Sequence, residues 1–277
     1  MSLLLDFQVI DVATCDPVPD VYVEMWHCNA TGVYAGVVAS GNGNQADASN
    51  INNTFLRGIQ PTDSDGVAQF ESVFPGHYSG RTTHMHVMVH TNATLQANNT
   101  LGLDNYASHV GQAFFDQSLL SAVSEVEPYA SNTQSLTTNA QDSIASEESA
   151  TEGVDPFVEY TLLGDSIEDG LFAWLAFGID TSKSSAVTPA SFLYKEGGQA
   201  NANAGAGGGP GGGSGGPPSG SGGLSGGPPA SGSGSPPTGS APPATSSSAA
   251  AAAVTSSSAA ASVTGAAGPG CRPKKKA

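Results

Sequence analysis

The densest chemistry in the chain lies between Phe74 and His86, FPGHYSGRTTHMH, where Tyr78, Arg81, His84 and His86 bring a phenol, a guanidinium and a closely spaced pair of imidazoles together. Pro75, Gly76 and Gly80 mark the ground before the histidines as loop, whereas His84-Met-His-Val-Met-Val-His90 alternates as a strand does. Side chains two apart on a strand share a face, so His84 and His86 can reach one common ion while Val87 and Val89 turn into a core. The pair alone is a weak signal, more often two partly exposed strand histidines than a metal pair. Tyrosine beside imidazole instead suits ferric iron, a hard ion that takes oxygen and nitrogen donors and makes a bound phenol give up its proton. Zinc is the weaker reading, because His84 and His86 lack a third ligand and a general base in the usual spacing.

The elements that must position these groups occupy only part of the chain. Of 277 residues, those from about Glu196 onward are dominated by Gly, Pro, Ser and Ala, a composition that cannot bury enough apolar surface to offset chain entropy. Residues 1–195 are therefore read as one folded domain and 196–277 as a disordered tail. The formal net charge is −16, and the tail's basic end hides a stronger bias, since residues 1–195 carry four cations against 23 acids. Nucleic acid is excluded as a partner on charge, and no apolar run approaches the roughly 20 residues of a membrane-crossing helix. The opening MSLLLDFQVIDV has no cationic leader, so no secretory leader is expected there. Four N-x-[ST] triplets, at Asn29, Asn52, Asn92 and Asn98, fit a secreted protein. Cys15 and Cys28 are not expected to pair with each other across the first hairpin; the pairing of Cys15, Cys28 and Cys271 stays open.

Short strands and turns follow one another. Leu4 to Val12 and Val21 to His27 flank a Pro-rich turn and are read as an antiparallel hairpin. Trp26 to Tyr34 ends a strand and enters a loop, leaving Tyr34 either as a packed residue at a strand edge or as a ligand carried on the loop. Residues 41–53 are a polar stretch expected at the surface. Thr54 to Gln60 and Gly66 to Val73 are strands around the tight turn at 62–66, whose Asp63 and Asp65 lack the length and terminal Glu of a calcium loop. Tyr106 to Asp116 returns to strand, with Gln112 able to face the histidines. Helical turns are expected at 119–126 and 143–149, and a final strand pair at 157–163 and 171–179.

Trp26, Tyr34, Phe55-Leu-Arg-Gly-Ile-Gln60, Thr62-Asp63, Gly66, Pro75-Gly76, Tyr78, Arg81-Thr-Thr-His84-Met-His86, Gly111-Gln112 and Phe114-Phe115 together resemble the intradiol ring-cleavage dioxygenases, in particular their fungal extracellular branch. The resemblance spans about residues 4 to 180. It implies an all-β, antiparallel β-sandwich with few short helices, a non-haem Fe(III) cofactor, and a catechol-type aromatic diol and dioxygen as substrates. The product would be a muconate-type diacid. Residue by residue, it implies Tyr34, Tyr78, His84 and His86 as iron ligands, Tyr78 and His86 axial, Tyr34 and His84 equatorial. Arg81 would be the active-site arginine, Gln112 would line the pocket, and Tyr78 would also accept a proton. The run between Tyr78 and His84 is shorter than in the bacterial enzymes, so their substrate preferences do not transfer. The resemblance also implies an extracellular location; it fixes neither oligomeric state nor which catechol is cleaved. The competing reading is a non-catalytic β-sandwich, a secreted binding or wall-associated module tethered by its tail.

Overall fold

The computed structural model describes residues 1–202 apart from 40, 103–105 and 152. Two four-stranded sheets carry the fold. One is built from β1 (Ser2–Asp11), β4 (Val67–Val73), β8 (Glu159–Leu162) and β9 (Leu171–Ile179), in the order β4-β1-β9-β8. The other is built from β2 (Tyr22–Trp26), β3 (Arg57–Pro61), β5 (His84–His90) and β7 (His109–Phe114), in the order β3-β2-β5-β7. Short pairs flank them: β6 (Tyr106–Ala107) with β10 (Ser185–Ala186), and β11 (Ser191–Tyr194) with β12 (Gly197–Ala200). The helices α1 (Gln117–Ser124) and α2 (Ser143–Ser149) are capped by Asp116 and Asp142.

Strand alternation builds the core. Leu3, Leu5, Phe7 and Val9 of β1 are buried, as are Met85, Val87 and Val89 of β5, and they meet in one apolar cluster. The period-2 pattern thus sends His84 and His86 to the opposite face of their sheet.

Three expectations need correction. β1 and β2 do not form a hairpin: β1 pairs antiparallel with β4 and parallel with β9, while β2 pairs with β3 and β5 in the other sheet. The turn between them holds Pro17 and Pro19, which cannot donate to a ladder, and Cys15 and Asp20 at φ +61° and +59°, so it carries the chain across the core instead of back along the strand. The turn at 62–66 likewise sends β3 and β4 to opposite sheets; Asp63 Oδ1 there accepts the backbone N–H groups of Asp65 and Val67. The folded part also passes 195. β12 lies beyond that boundary, its Gly198 N–H donating to Asn52 Oδ1 at 2.9 Å, because Gly198 lets the backbone approach Ile51 more closely than any Cβ would allow. The expectation for 203–277 lies outside the described residues. Strands β8 and β9, both helices and β5 stand where the sequence pattern puts them. Cys28 is a buried free thiol and so not Cys15's partner.

Candidate metal centre

The site lies on the face of β5 that turns away from the core, and two loops bring tyrosines over it. Tyr34 is fully buried and Tyr78 nearly so, packed with Trp26, Cys28 and Val37 in a second apolar cluster. Glycines set how closely the two loops mesh: a Cβ on Gly32 would overlap the His77 carbonyl and one on Gly76 the Ala30 carbonyl. The Gly76 N–H donates to Asn29 O at 3.2 Å, and the Cys28 thiol donates to Gly76 O at 3.3 Å.

The stretch at 41–53, expected at the surface, is partly core, and its asparagines hold Tyr34. Asn42 Oδ1 accepts the Tyr34 N–H at 2.7 Å, and the Asn42 and Asn50 amides both donate to the carbonyls of Tyr34 and Val37. Asn50 is fully buried. A loop backbone can be buried only when such partners satisfy it, and a run of Asn and Gly in sequence does not say which amides turn inward.

Four predicted donors come together. Tyr34 Oη and His86 Nε2 each lie 3.3 Å from His84 Nε2, and the Tyr78 ring stands edge-on to both Tyr34 and His84 at 5.5 and 5.7 Å between centroids. His84 Nδ1 is 2.7 Å from Thr82 O. A carbonyl only accepts, so Nδ1 carries the proton and Nε2 presents a bare lone pair, the arrangement by which a backbone carbonyl orients a metal-binding imidazole. Two donors each about 2.1 Å from a shared ion stand roughly 3.0–3.6 Å apart for bond angles of 90–120°, and both 3.3 Å separations fall in that range. The donors fit a metal ion. Burial, with His86 and Arg81 nearby, holds His84 well below the usual imidazole range and hence neutral. Burial also pushes both phenols up, so a phenolate here requires a cation beside it. Among the described residues no three His, Cys, Asp or Glu side chains gather as a metal-binding group; the phenols complete the donor set. His27, the other fully buried histidine, spends both nitrogens on Cys28 O and Ser72 Oγ.

Arg81 and Gln112 meet beside the donors. Arg81 Nη2 donates to Gln112 Oε1 at 2.6 Å, and Gln112 pairs across strands with His86. Arg81 Nε donates to Asp142 Oδ2 at 2.8 Å, with side chains 9% and 0% exposed. Burial alone would raise the Asp142 carboxyl, but the Arg81 bond and the N–H groups of Ala145 and Thr82 bring it below its ordinary value. Arg81 Nη1 is buried and has no protein partner. Asp142 was not foreseen: it is 61 positions from Arg81, and its only local signal is that of a helix N-cap. On the far side of the donors, Trp26 packs on Tyr34 and His86 and carries the Arg57 guanidinium 4.9 Å over its ring. Arg57 in turn donates to buried Glu24, which also meets His90.

Residues 1–107 match the dioxygenase family model Dioxygenase_C. A solved intradiol ring-cleavage dioxygenase from Tetranychus urticae is 26% identical and superposes with a TM-score of 0.51, covering 65% of this chain and 81% of its own. Similarity is lower to catechol 1,2-dioxygenase from Acinetobacter sp. ADP1 (17% identity, TM-score 0.35, 64% of this chain and 51% of that one) and to hydroxyquinol 1,2-dioxygenase from Pseudomonas putida DLL-E4 (17%, 0.36, 65% and 56%). Curated proteins give no match. The matched stretch contains both loop tyrosines and the His-x-His strand, and over 65% of its length the chain is similar in architecture to the Tetranychus urticae intradiol ring-cleavage dioxygenase.

Proposed function

We propose that this chain is a non-haem ferric dioxygenase of the fungal extracellular branch that opens a catechol-type ring between its two hydroxyl-bearing carbons and releases a muconate-type diacid. The observation that carries this reading is the convergence of Tyr34 Oη, His84 Nε2 and His86 Nε2 at 3.3 Å spacings under the Tyr78 ring. Tyr34, Tyr78, His84 and His86 would hold the iron. Ferric iron, when bound, supplies Lewis acidity that draws electron density from a catecholate and opens its ring to dioxygen.

The chain's own residues supply the rest. An incoming diol must shed its protons, and Tyr78 Oη, as a phenolate hydrogen-bonded by Arg81, is the acceptor for one of them. Arg81, held by Asp142 and Gln112, offers Nη1 to the negative charge that develops as the ring is oxidised. Such a fixed donor needs no reorganisation at the moment of reaction, and removing one costs about 100- to 1,000-fold in rate. Buried Trp26 and Tyr34 keep water from one side of the donors, while half-buried His86 leaves an approach for substrate. An extracellular location is part of the proposal, resting on the family branch and the four glycosylation triplets.

The test is to load the protein with iron, incubate it aerobically with catechol, protocatechuate and hydroxyquinol, and identify the products. Muconates, from a protein made wine-red by tyrosinate-to-iron charge transfer, are expected. Semialdehydes, or no ring-opened product from a fully iron-loaded protein, would overturn the reading.

A further inference from the structure

The turn that carries the chain from β1 to β2 is acidic and holds a bonded cysteine. Asp11, Asp16 and Asp20 lie along it; the Cys15 N–H donates to Asp11 O at 2.7 Å and the Asp11 N–H to Asp16 O at 3.0 Å. The turn at 62–66 abuts it, since a Cβ on Gly66 would overlap Val9 O and crowd Pro17 and Val18, and this brings up Asp63 and Asp65. The Thr181 hydroxyl lowers the Asp11 carboxyl, and Asp180, one residue past β9, opposes it. Asp16, Asp20, Asp63 and Asp65 are exposed. Of the cations in residues 1–195, Arg57 and Arg81 are committed to Glu24 and Asp142, and Lys183 to Asp180. Cys15 is disulfide-bonded, and its partner is not Cys28, a buried free thiol that donates to Gly76 O.

We infer that the partner is Cys271 and that the C-terminal segment Cys271-Arg-Pro-Lys-Lys-Lys276 docks on this acidic turn. The chain has three cysteines, so elimination leaves Cys271. Charge points the same way: Arg272, Lys274, Lys275 and Lys276 directly follow that cysteine, and opposite charges steer an encounter and fix its register. The same cations favour the thiolate at Cys271, the form that attacks a disulfide. About 70 residues separate Ala202 from Cys271, and a Gly- and Ser-rich run of that length has a root-mean-square span of about 45 Å, enough to cross a domain of this size. The bond forms by two exchanges with a small-molecule disulfide: the Cys271 thiolate attacks it and releases one thiol, then the Cys15 thiolate attacks the mixed disulfide and releases the second. The two cysteines are oxidised, the small disulfide is reduced to two thiols, and both cysteine protons pass to those thiols. The Gly-, Pro-, Ser- and Ala-rich run is then a loop fastened to the domain at both ends and not a free stalk.

The test uses the full-length protein, reduced, freed of reductant and reoxidised with hydroxyethyl disulfide, an uncharged oxidant, so the outcome does not depend on where the protein resides. Remaining thiols are blocked with N-ethylmaleimide in denaturant. Cleavage after glutamate then puts Cys15 in fragment 1–24, Cys28 in 25–71 and Cys271 in 197–277. The expected result by mass spectrometry is 1–24 joined to 197–277, from protein that runs as a monomer in non-reducing electrophoresis; Cys271→Ser should leave 1–24 without a partner fragment. Closure should slow by about three-fold or more when salt is raised to about 0.5 M, and likewise in the double variant Asp16→Asn, Asp20→Asn. A maleimide or a hydroxyethyl adduct retained on 1–24 of the parent, its linkage to 25–71, or a linkage between two copies overturns the pairing. Closure at one rate in low salt, in high salt and in the aspartate variant overturns the acidic turn as the docking surface.

Discussion

Replacing Asp142 by asparagine strikes the point where α2, β5 and Arg81 are joined. The carboxylate accepts four hydrogen bonds: Arg81 Nε and Thr82 N on Oδ2, Ile144 N and Ala145 N on Oδ1, all between 2.8 and 3.0 Å. Asparagine keeps one oxygen. If that oxygen retains the helix cap, its NH2 faces the Thr82 N–H and the Arg81 Nε–H, setting donors against donors, and the guanidinium is left buried without a counter-charge. Breaking a buried ion pair from one side costs about 3–5 kcal/mol. Arg81 keeps its bond to Gln112 Oε1, so the lower end applies, about 3 kcal/mol. At about 2–4 °C per kcal/mol for a domain of this size, the melting temperature should fall by roughly 6–12 °C. The measurement is a near-ultraviolet circular dichroism melt at pH 7.5, on metal-free and iron-saturated protein separately because a bound ion stabilises the folded state by mass action. Turnover should fall as well, by less than the 100- to 1,000-fold of losing the arginine outright, because the charge is loosened and not removed. A variant that melts within 2 °C of the parent and turns over at the parent rate would show that Asp142 neither stabilises nor positions Arg81.

Asn50→Ala removes a fully buried amide that serves the carbonyls of Tyr34 and Val37, and urea unfolding should show a loss of about 1–3 kcal/mol; a loss under about 0.5 kcal/mol would contradict the role assigned to the loop asparagines. Burial works to raise the Glu24 carboxyl, yet Arg57 and His90 outweigh it and bring it down to about 2. A depressed folded-state value means that the contribution is present above the unfolded value of 4.5 and is lost as pH falls toward 2. The stability difference between parent and Glu24→Gln should therefore shrink by about 3 kcal/mol as pH falls from 5 toward 2, and shrink again as pH rises through the raised range of His90, whose charge Glu24 supports; a difference independent of pH would sink this account. A chain ending at residue 196 loses β12 and its hold on Asn52, so it should melt several degrees below one ending at 202. Equal melting temperatures would show β12 to be dispensable.

The sequence determined what repeats over short distances. Alternation in 84–90 separates the histidines from Val87 and Val89, the N-cap aspartates start both helices, and the alternating runs at 157–163 and 171–179 become paired strands. Chemistry confined to a few residues, such as Tyr78, Arg81, His84 and His86, was legible for the same reason: nearness in sequence nearly forces nearness in space. Periodicity reports which face of a strand is apolar, but not which strand lies beside it. Only the tertiary structure placed β1 against β9, more than 150 residues away and parallel, and sent β1 and β2 to opposite sheets, because that arrangement buries the apolar faces of both. The polar support of the site was hidden in the same way. Asn42, Asn50 and Asp142 look like surface residues in sequence, and their roles come from burial beside their partners: the asparagines turn inward to the Tyr34 and Val37 carbonyls, and Asp142 meets Arg81 from 61 positions away. A buried charge must be paired, but which acid pairs with Arg81 is decided by where α2 packs.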